Sequence, residues 1–396
     1  MIASLKNVVV VGGSYVGLAA VKELVGILPA THRVLLIEPH SHFHHLFAFP
    51  RFSVIPNHEH KAFIPYSAAF AGASEPTRHS VVKARALSLH PDRIILDRAW
   101  QGSTEVPYDY VVITTGTRLP APGTMQHDEK ALSVDYLKSY QQRVQGANKI
   151  VIVGGGAVGV QMATDLKEIY PEKDITLVHS RDRMMPLYHP KMDQIIRDRF
   201  QELGVKAITG VRAVVPEGGY PNDGKPFELE LKDGQKVAAD LVIPATGQIP
   251  NNDFVKTLEP TTETPIINPA NGFLHVRPTL QLQDPAYSNI FAAGDIADTK
   301  AHKAARPGMA QAEVVAKNIC ALIEGCEPQH TIVVNPPAIH LTLGVTKNMI
   351  FRNPDTANGA TEPFVNMKDD GAMDMNIEGV WARRGVKATK PDDYHL

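Results

Sequence analysis

Residues Val8–Gly17 read VVVVGGSYVG: four β-branched residues, then a turn with glycine at its first and last positions. Such a run is the pattern of a strand buried on both faces of a parallel sheet. In a G-x-G-x-x-G turn the first glycine makes the bend, and the second lets a pyrophosphate approach the backbone. The third lets helix pack closely on strand. Gly12, Ser14 and Gly17 hold those positions, with Gly13 between the first two. Ser14 replaces the middle glycine and keeps a hydroxyl that can donate to phosphate. A helix is expected over 18–28, stopped by Pro29, with its free N–H groups and positive dipole end turned to an anion. RVLLIE (Arg33–Glu38) is the next strand, and Glu38 stands where a carboxylate takes both ribose hydroxyls. Strand, turn, helix and acid in register predict a dinucleotide-binding βαβ unit.

The same order recurs at Val151–Val160, VIVGGGAVGV, where Gly154, Gly156 and Gly159 fill all three glycine positions. A helix is expected over 160–170, broken by Pro171, followed by the strand DITLVHS (Asp174–Ser180). No acid closes this second unit. His179, Ser180 and Arg181 stand there, with Arg183 close by. A carboxylate would repel a 2′-phosphate, whereas Arg and Ser would accept one; the alternative is that the arginines are plain solvated charges. Two strand-end turns echo each other, YDYVVITTGT (Tyr108–Thr117) with Thr115 and Gly116, and ADLVIPATGQIPN (Ala239–Asn251) with Gly247. NIFAAGDIAD (Asn289–Asp298) places Gly294 and Asp295 after a strand and before a helix, where an Asp of a two-dinucleotide flavoprotein binds the ribityl chain of FAD. The expected cofactors are therefore FAD in the first fold and NAD(P)H in the second, with a hydride passing from nicotinamide to flavin.

The expected fold class is α/β. It comprises two Rossmann-like dinucleotide-binding domains plus a small C-terminal α+β domain. The expected boundaries are a discontinuous FAD domain over 1–118 and 250–325, an NAD(P)H domain over 119–249, and a C-terminal domain over 326–396.

Bulk properties exclude several classes. The chain has 396 residues, 43% apolar and 21% charged, with a net charge of −2. That balance gives no basic footprint for nucleic acid. The two cysteines, Cys320 and Cys326, have the spacing of neither a CxxC redox pair nor a zinc framework. They predict a reducing compartment. A strand beginning at Asn7 leaves no secretory signal ahead of it, and Lys22 and Glu23 interrupt the apolar stretch 8–28. The Met-Ile start lacks the glycine of N-myristoylation. A cytoplasmic, non-secreted monomer or homodimer is expected, with any membrane contact peripheral and weak. Trp381, Arg383 and Arg384 are either that contact or a plain domain face. His40, His42, His44, His45, His58 and His60 cluster without acidic or cysteine partners, so no metal is expected; they are read as flavin-proximal or surface histidines.

SHFHHLFAFPRFSV (Ser41–Val54), HKAFIPYS (His60–Ser67), YPEKDITLVHS (Tyr170–Ser180) and FAAGDIAD (Phe291–Asp298) together resemble the apoptosis-inducing-factor-like branch of the two-dinucleotide flavoproteins, related to type II NADH dehydrogenases. The resemblance runs from Val8 to about Leu343. It implies NAD(P)H-dependent reduction of quinones by bound FAD. It also implies that Arg51 and Lys61 approach the flavin alongside Asp295, with Lys303 a further candidate. Gln161 stands where the family often has Glu near the nicotinamide; an amide can position the carboxamide but not act as a base. Lys61, Gln161 and Lys303 are the catalytic candidates. A quinone mouth is expected from LFAFPRF (Leu46–Phe52) and NPPAIHLTL (Asn335–Leu343), since no dithiol relay exists. Two other readings stay open: a biosynthetic flavin oxidase or monooxygenase, and a slow flavoprotein that signals through its reduced state.

Overall fold

The computed structural model describes residues 5–396; the Met-Ile start lies outside them. The first β-branched run forms the strand Lys6–Val11, central in a five-stranded sheet. Its order is Ile290–Ala292, Tyr110–Ile113, Lys6–Val11, His32–Ile37 and Ser80–Val82, with every neighbouring pair parallel. Alternation splits the side chains between two cores. Val9, Val11, Leu35 and Ile37 enter one, while Val8, Val10, Val34 and Leu36 enter the other with Leu24 and Val315 of two helices. Burial on both faces is why these strands are unbroken apolar runs.

The second fold repeats the plan with four parallel strands, Lys206–Thr209, Asp174–His179, Lys149–Val153 and Leu241–Pro244. One face packs on Met162 and Leu166 of the helix Ala157–Ile169. The other is covered by Leu229 and Leu231. In both sheets the strand leading into the glycine turn lies between strands reached by opposite crossovers, and the crevice at that switch point is where α/β sheets bind ligands. A two-stranded antiparallel link, Thr117–Arg118 with Ile249–Pro250, carries the chain out to the second fold and back.

Fold class is as expected: two Rossmann-like units and a C-terminal α+β portion. Helix starts differ. The helices Tyr15–Ile27 and Ala157–Ile169 each begin three residues ahead of the expected starts at 18 and 160. Their first-turn residues Val16, Ala157 and Val158 are only partly buried against the cores, so the glycine turn sets the start and hydropathy does not report it.

The C-terminal portion is divided between the two folds. Its antiparallel sheet (Ala338–Thr342, Asn348–Arg352, Phe364–Lys368) sends Leu341, Met349 and Phe351 into the core of the second fold. Its helix Ile377–Arg383 packs Ile377, Val380 and Trp381 on Phe43 and Ile64 of the first. Among the described residues no helix is long and apolar enough to cross a membrane.

Candidate functional site: paired dinucleotide turns

The first turn is built by three glycines that admit no side chain. Gly12 lies at φ +102°, and a Cβ there would press on the Thr114 carbonyl at 2.8 Å and on Thr115. A Cβ on Gly17 would run into the Gly12 carbonyl. A Cβ on Gly13 would meet the Tyr66 hydroxyl at 2.8 Å. Ser14 caps the helix with its backbone alone and makes no side-chain cap bond, so its hydroxyl and the first-turn N–H groups stay open to a ligand. Gly13 N–H donates to Glu38 Oε2 at 2.5 Å, and the His40 backbone N–H donates to Oε1 at 3.0 Å. Those bonds hold the carboxylate at the strand end.

Asp295 closes the far side. Gly294, at φ +79°, and Gly308 both pack against Val16 of the nucleotide helix, which brings the N-terminus of Ala305–Ile323 to the same crevice. Burial pushes the Asp295 carboxyl up, with Lys303 opposing, and no protein group hydrogen-bonds it among the described residues. Lys303 itself donates to the Ala297 carbonyl at 2.5 Å and lies 4.1 Å from the Phe273 ring centre. Thr115 and Gly116 are tied to the crossover: Thr115 Oγ1 donates to the Asn251 carbonyl at 2.8 Å, and Asn251 N–H to the Gly116 carbonyl at 3.0 Å.

In the second turn Gly154 lies at φ +129°, where a Cβ would meet the Ala245 carbonyl, next to Thr246 and Gly247. A Cβ on Gly159 would collide with the Gly154 carbonyl. Gly156 differs: nothing of the protein lies within 4 Å of where its Cβ would be. Gly155 N–H donates to His179 Nδ1 at 3.0 Å. Burial pulls His179 below its usual value, and its buried Nε2 has no partner. Ser180, Arg181 and Arg183 are exposed beside it.

Both turns therefore fit a dinucleotide by shape: two cradles that a Cβ would fill, open helix N-termini, and an unpaired Asp295 facing the first. Residues 6–316 match the pyridine nucleotide-disulphide oxidoreductase family. The chain belongs to that family. It is a flavoenzyme that uses FAD and NAD(P)H, and the expected apoptosis-inducing-factor-like assignment is borne out. The chain is similar to Fe-regulated protein 8 of Mycosarcoma maydis, 35% identical with 96% of this chain and 95% of that protein covered. It is similar to ferroptosis suppressor protein 1 of Mus musculus, 30% identical over 86% of this chain and 87% of that one. Among solved structures it resembles the sulfide:quinone oxidoreductase of Aquifex aeolicus, with a TM-score of 0.72, 20% identity, and 92% and 87% of the two chains covered.

Several site residues of this flavoenzyme stand in company the sequence did not indicate. Arg51 is fully buried and spent on protein: Nε on Asp165 Oδ2 at 2.6 Å, Nη2 on the Gly344 carbonyl at 2.8 Å, Nη1 on the Ala372 carbonyl at 3.2 Å. It pins the second fold and the C-terminal portion to the first. Burial lifts the Asp165 carboxyl to about 6, against the pull of Arg51. One helical turn before Asp165, Gln161 is buried, and its side-chain amide acts on the Asp165 carboxyl. Lys61 pairs with Asp374 at 3.6 Å and lines a cleft with His60, Tyr394 and His395 of the C-terminal tail.

Of LFAFPRF, residues Ala48–Phe52 are core, leaving Leu46 and Phe47 to any mouth. Trp381 is not a membrane contact. It is fully buried and donates Nε1–H to the Lys61 carbonyl at 2.9 Å, because it anchors its helix to the flavin fold. Three of the clustered histidines bond to different partners, His40 to Glu38, His42 to the Leu396 carbonyl, and His45 Nδ1 to the Tyr15 hydroxyl at 2.7 Å, while the His40 and His44 rings lie 4.1 Å apart. Sequence reading missed Tyr66, whose hydroxyl donates to the Gly13 carbonyl at 3.0 Å, although HKAFIPYS contains it. It also missed Asp165. An acid four residues after Gln161 on an otherwise apolar helix face was the available signal.

Proposed function

We propose that this flavoenzyme takes a hydride equivalent from NAD(P)H and delivers electrons to a quinone-type acceptor with no thiol relay. Bound FAD supplies the two-electron chemistry. The chain's own residues bind and orient: Gly12–Gly17, Glu38 and Asp295 hold the flavin nucleotide, Gly154–Gly159 and His179 hold the nicotinamide nucleotide, and Gln161 positions the carboxamide.

One observation carries the absence of a relay. Cys320 Sγ lies 3.8 Å from the Ile27 carbonyl, at the end of the helix Tyr15–Ile27 opposite to its phosphate turn. Thirteen residues at 1.5 Å each put it about 20 Å from the crevice. Cys326 is exposed beyond the same end, and both thiols are free. The acceptor must then reach the flavin itself, which a flat apolar quinone can do.

The test is rapid mixing of the yellow protein with NADH or NADPH, then with a soluble quinone or with glutathione disulfide. The quinone is expected to reoxidise the protein, and Cys320→Ser with Cys326→Ser to leave that rate unchanged. Reoxidation by the disulfide, or loss of quinone reduction in the double variant with full FAD content, overturns the proposal.

A further inference from the structure

We propose that Arg384, carried in by the C-terminal helix, is the cation of the flavin pyrophosphate subsite, so that the tail of the chain completes the FAD site. The inference rests on the assignment of FAD to the first turn.

The cations expected there are otherwise engaged. Arg51 is enclosed by Asp165, Gly344 and Ala372. Lys61 is on Asp374, and Lys303 on Ala297. A diphosphate at the turn would meet helix N–H groups and the Ser14 hydroxyl but no basic side chain from the first fold's own candidates.

Arg384 fills that gap. Its guanidinium carbon lies 5.4 Å from the ring centre of Tyr15, the residue after Ser14, and 4.1 Å from that of Phe43. The titratable neighbours that act on it are the phenols of Tyr15 and Tyr66, which burial keeps neutral, and the side chain of Arg383; no carboxylate is among them. Tyr66 in turn donates to the Gly13 carbonyl within the turn. The guanidinium is half-buried on aromatic faces, which leaves its edge N–H groups free, and a half-buried unpaired charge beside a second arginine is costly without an anion. A diphosphate matches the guanidinium fork in a way that a point-charge ammonium does not.

Its position is fixed by the fold. Trp381 and Ile377 are fully buried against the flavin domain, and the helix ends at Arg383 with Arg384 as its C-cap, because Gly385 turns at φ +76° with Ala68 2.9 Å from where its Cβ would be. The positive field reaches the turn: burial, then Arg384, hold His45 neutral beside Tyr15, its value pulled to about 3.

The test measures FAD binding to apoprotein by flavin fluorescence, with ADP and adenosine as competitors, for wild type, Arg384→Gln and Arg384→Lys. Arg384→Gln is expected to raise the Kd for FAD about ten- to a hundredfold, the range of a lost charge-assisted hydrogen bond. It should weaken ADP competition by a similar factor, leave adenosine competition unchanged, and leave apoprotein melting unchanged; Lys should recover part of the loss. Unchanged FAD and ADP binding in Arg384→Gln overturns the inference. So does equal weakening of ADP and adenosine, or a Lys variant no better than Gln, since either assigns the residue to packing. If Gln fails to fold, the Lys variant against wild type decides by the ADP-to-adenosine ratio, an unchanged ratio overturning the inference. Wild-type apoprotein that binds no FAD would instead remove the cofactor assignment beneath it.

Discussion

Gly155 donates its backbone N–H to His179 Nδ1 at 3.0 Å, and in the first fold Gly13 N–H donates to Glu38 Oε2 at 2.5 Å. Two different side chains thus close the same turn. Glu38 offers only acceptors. His179 accepts at Nδ1, which puts the proton of the neutral ring on its buried Nε2; burial pulls its value down, with the Arg183 backbone opposing. The second turn therefore ends on an imidazole with two exposed arginines beside it, where the first ends on a carboxylate.

His179→Glu should accordingly separate the two nicotinamide nucleotides. A carboxylate there repels a 2′-phosphate but accepts from ribose hydroxyls. Activity with NADPH, as kcat/KM, is expected to fall about ten- to a hundredfold while NADH changes little. Steady-state kinetics with both nucleotides checks this. Equal losses would mean that His179 serves the turn's structure instead.

Two glycine substitutions should have opposite signatures. Gly17→Ala drives a methyl into the Gly12 carbonyl, so expression, folding and FAD content should all collapse. Gly156→Ala meets no protein atom within 4 Å and has no positive φ. Its melting temperature should match wild type while KM for both nucleotides rises several-fold, because only the incoming pyrophosphate needs that space. Thermal melts and nucleotide titrations distinguish the pair.

The Arg51–Asp165 ion pair is fully buried at the junction of both folds and the C-terminal portion. Removing one partner leaves a buried charge, so Asp165→Ala should lower stability by about 3–5 kcal/mol. Arg51→Met combined with Asp165→Leu should regain most of that loss. Urea unfolding of wild type and the two variants reads it out; a double variant no better than Asp165→Ala would show that the carbonyl bonds of Arg51, not the charge pair, hold the junction.

Buried histidine should make the protein acid-sensitive. His45 is pulled to about 3 by burial first and by Arg384 and Arg383 next. Between that value and the ordinary 6.5 the unfolded chain binds a proton that the folded chain does not, so stability is full above about 6.5 and falls with pH below it. The slope for one such proton is about 1.4 kcal/mol per pH unit. His45→Gln keeps a partner for the Tyr15 hydroxyl and should reduce the slope of melting temperature against pH between 6 and 4. An unchanged slope would assign the acid sensitivity to other histidines such as His44, which burial also lowers.

Local chemistry in the sequence determined both dinucleotide units. A parallel strand buried on two faces must be an unbroken apolar run, and a turn with positive φ whose helix touches its strand must be glycine; Gly12, Gly17, Gly154 and Gly159 announce both requirements within a few residues. Glu38 and His179 follow because the strand end is a fixed distance on. The C-terminal residues carried no such signal. Arg384, Trp381 and Asp165 act through partners more than a hundred residues away: Phe43 and Tyr15, the Lys61 carbonyl, and Arg51. Whether an arginine is a solvated charge, an interdomain pin or a phosphate ligand depends on what surrounds its guanidinium. Only the tertiary fold could place Arg51 inside the junction and the Arg384 guanidinium against Phe43 and Tyr15, because close approach between such distant segments is set by packing of the whole core and leaves no periodicity in the chain.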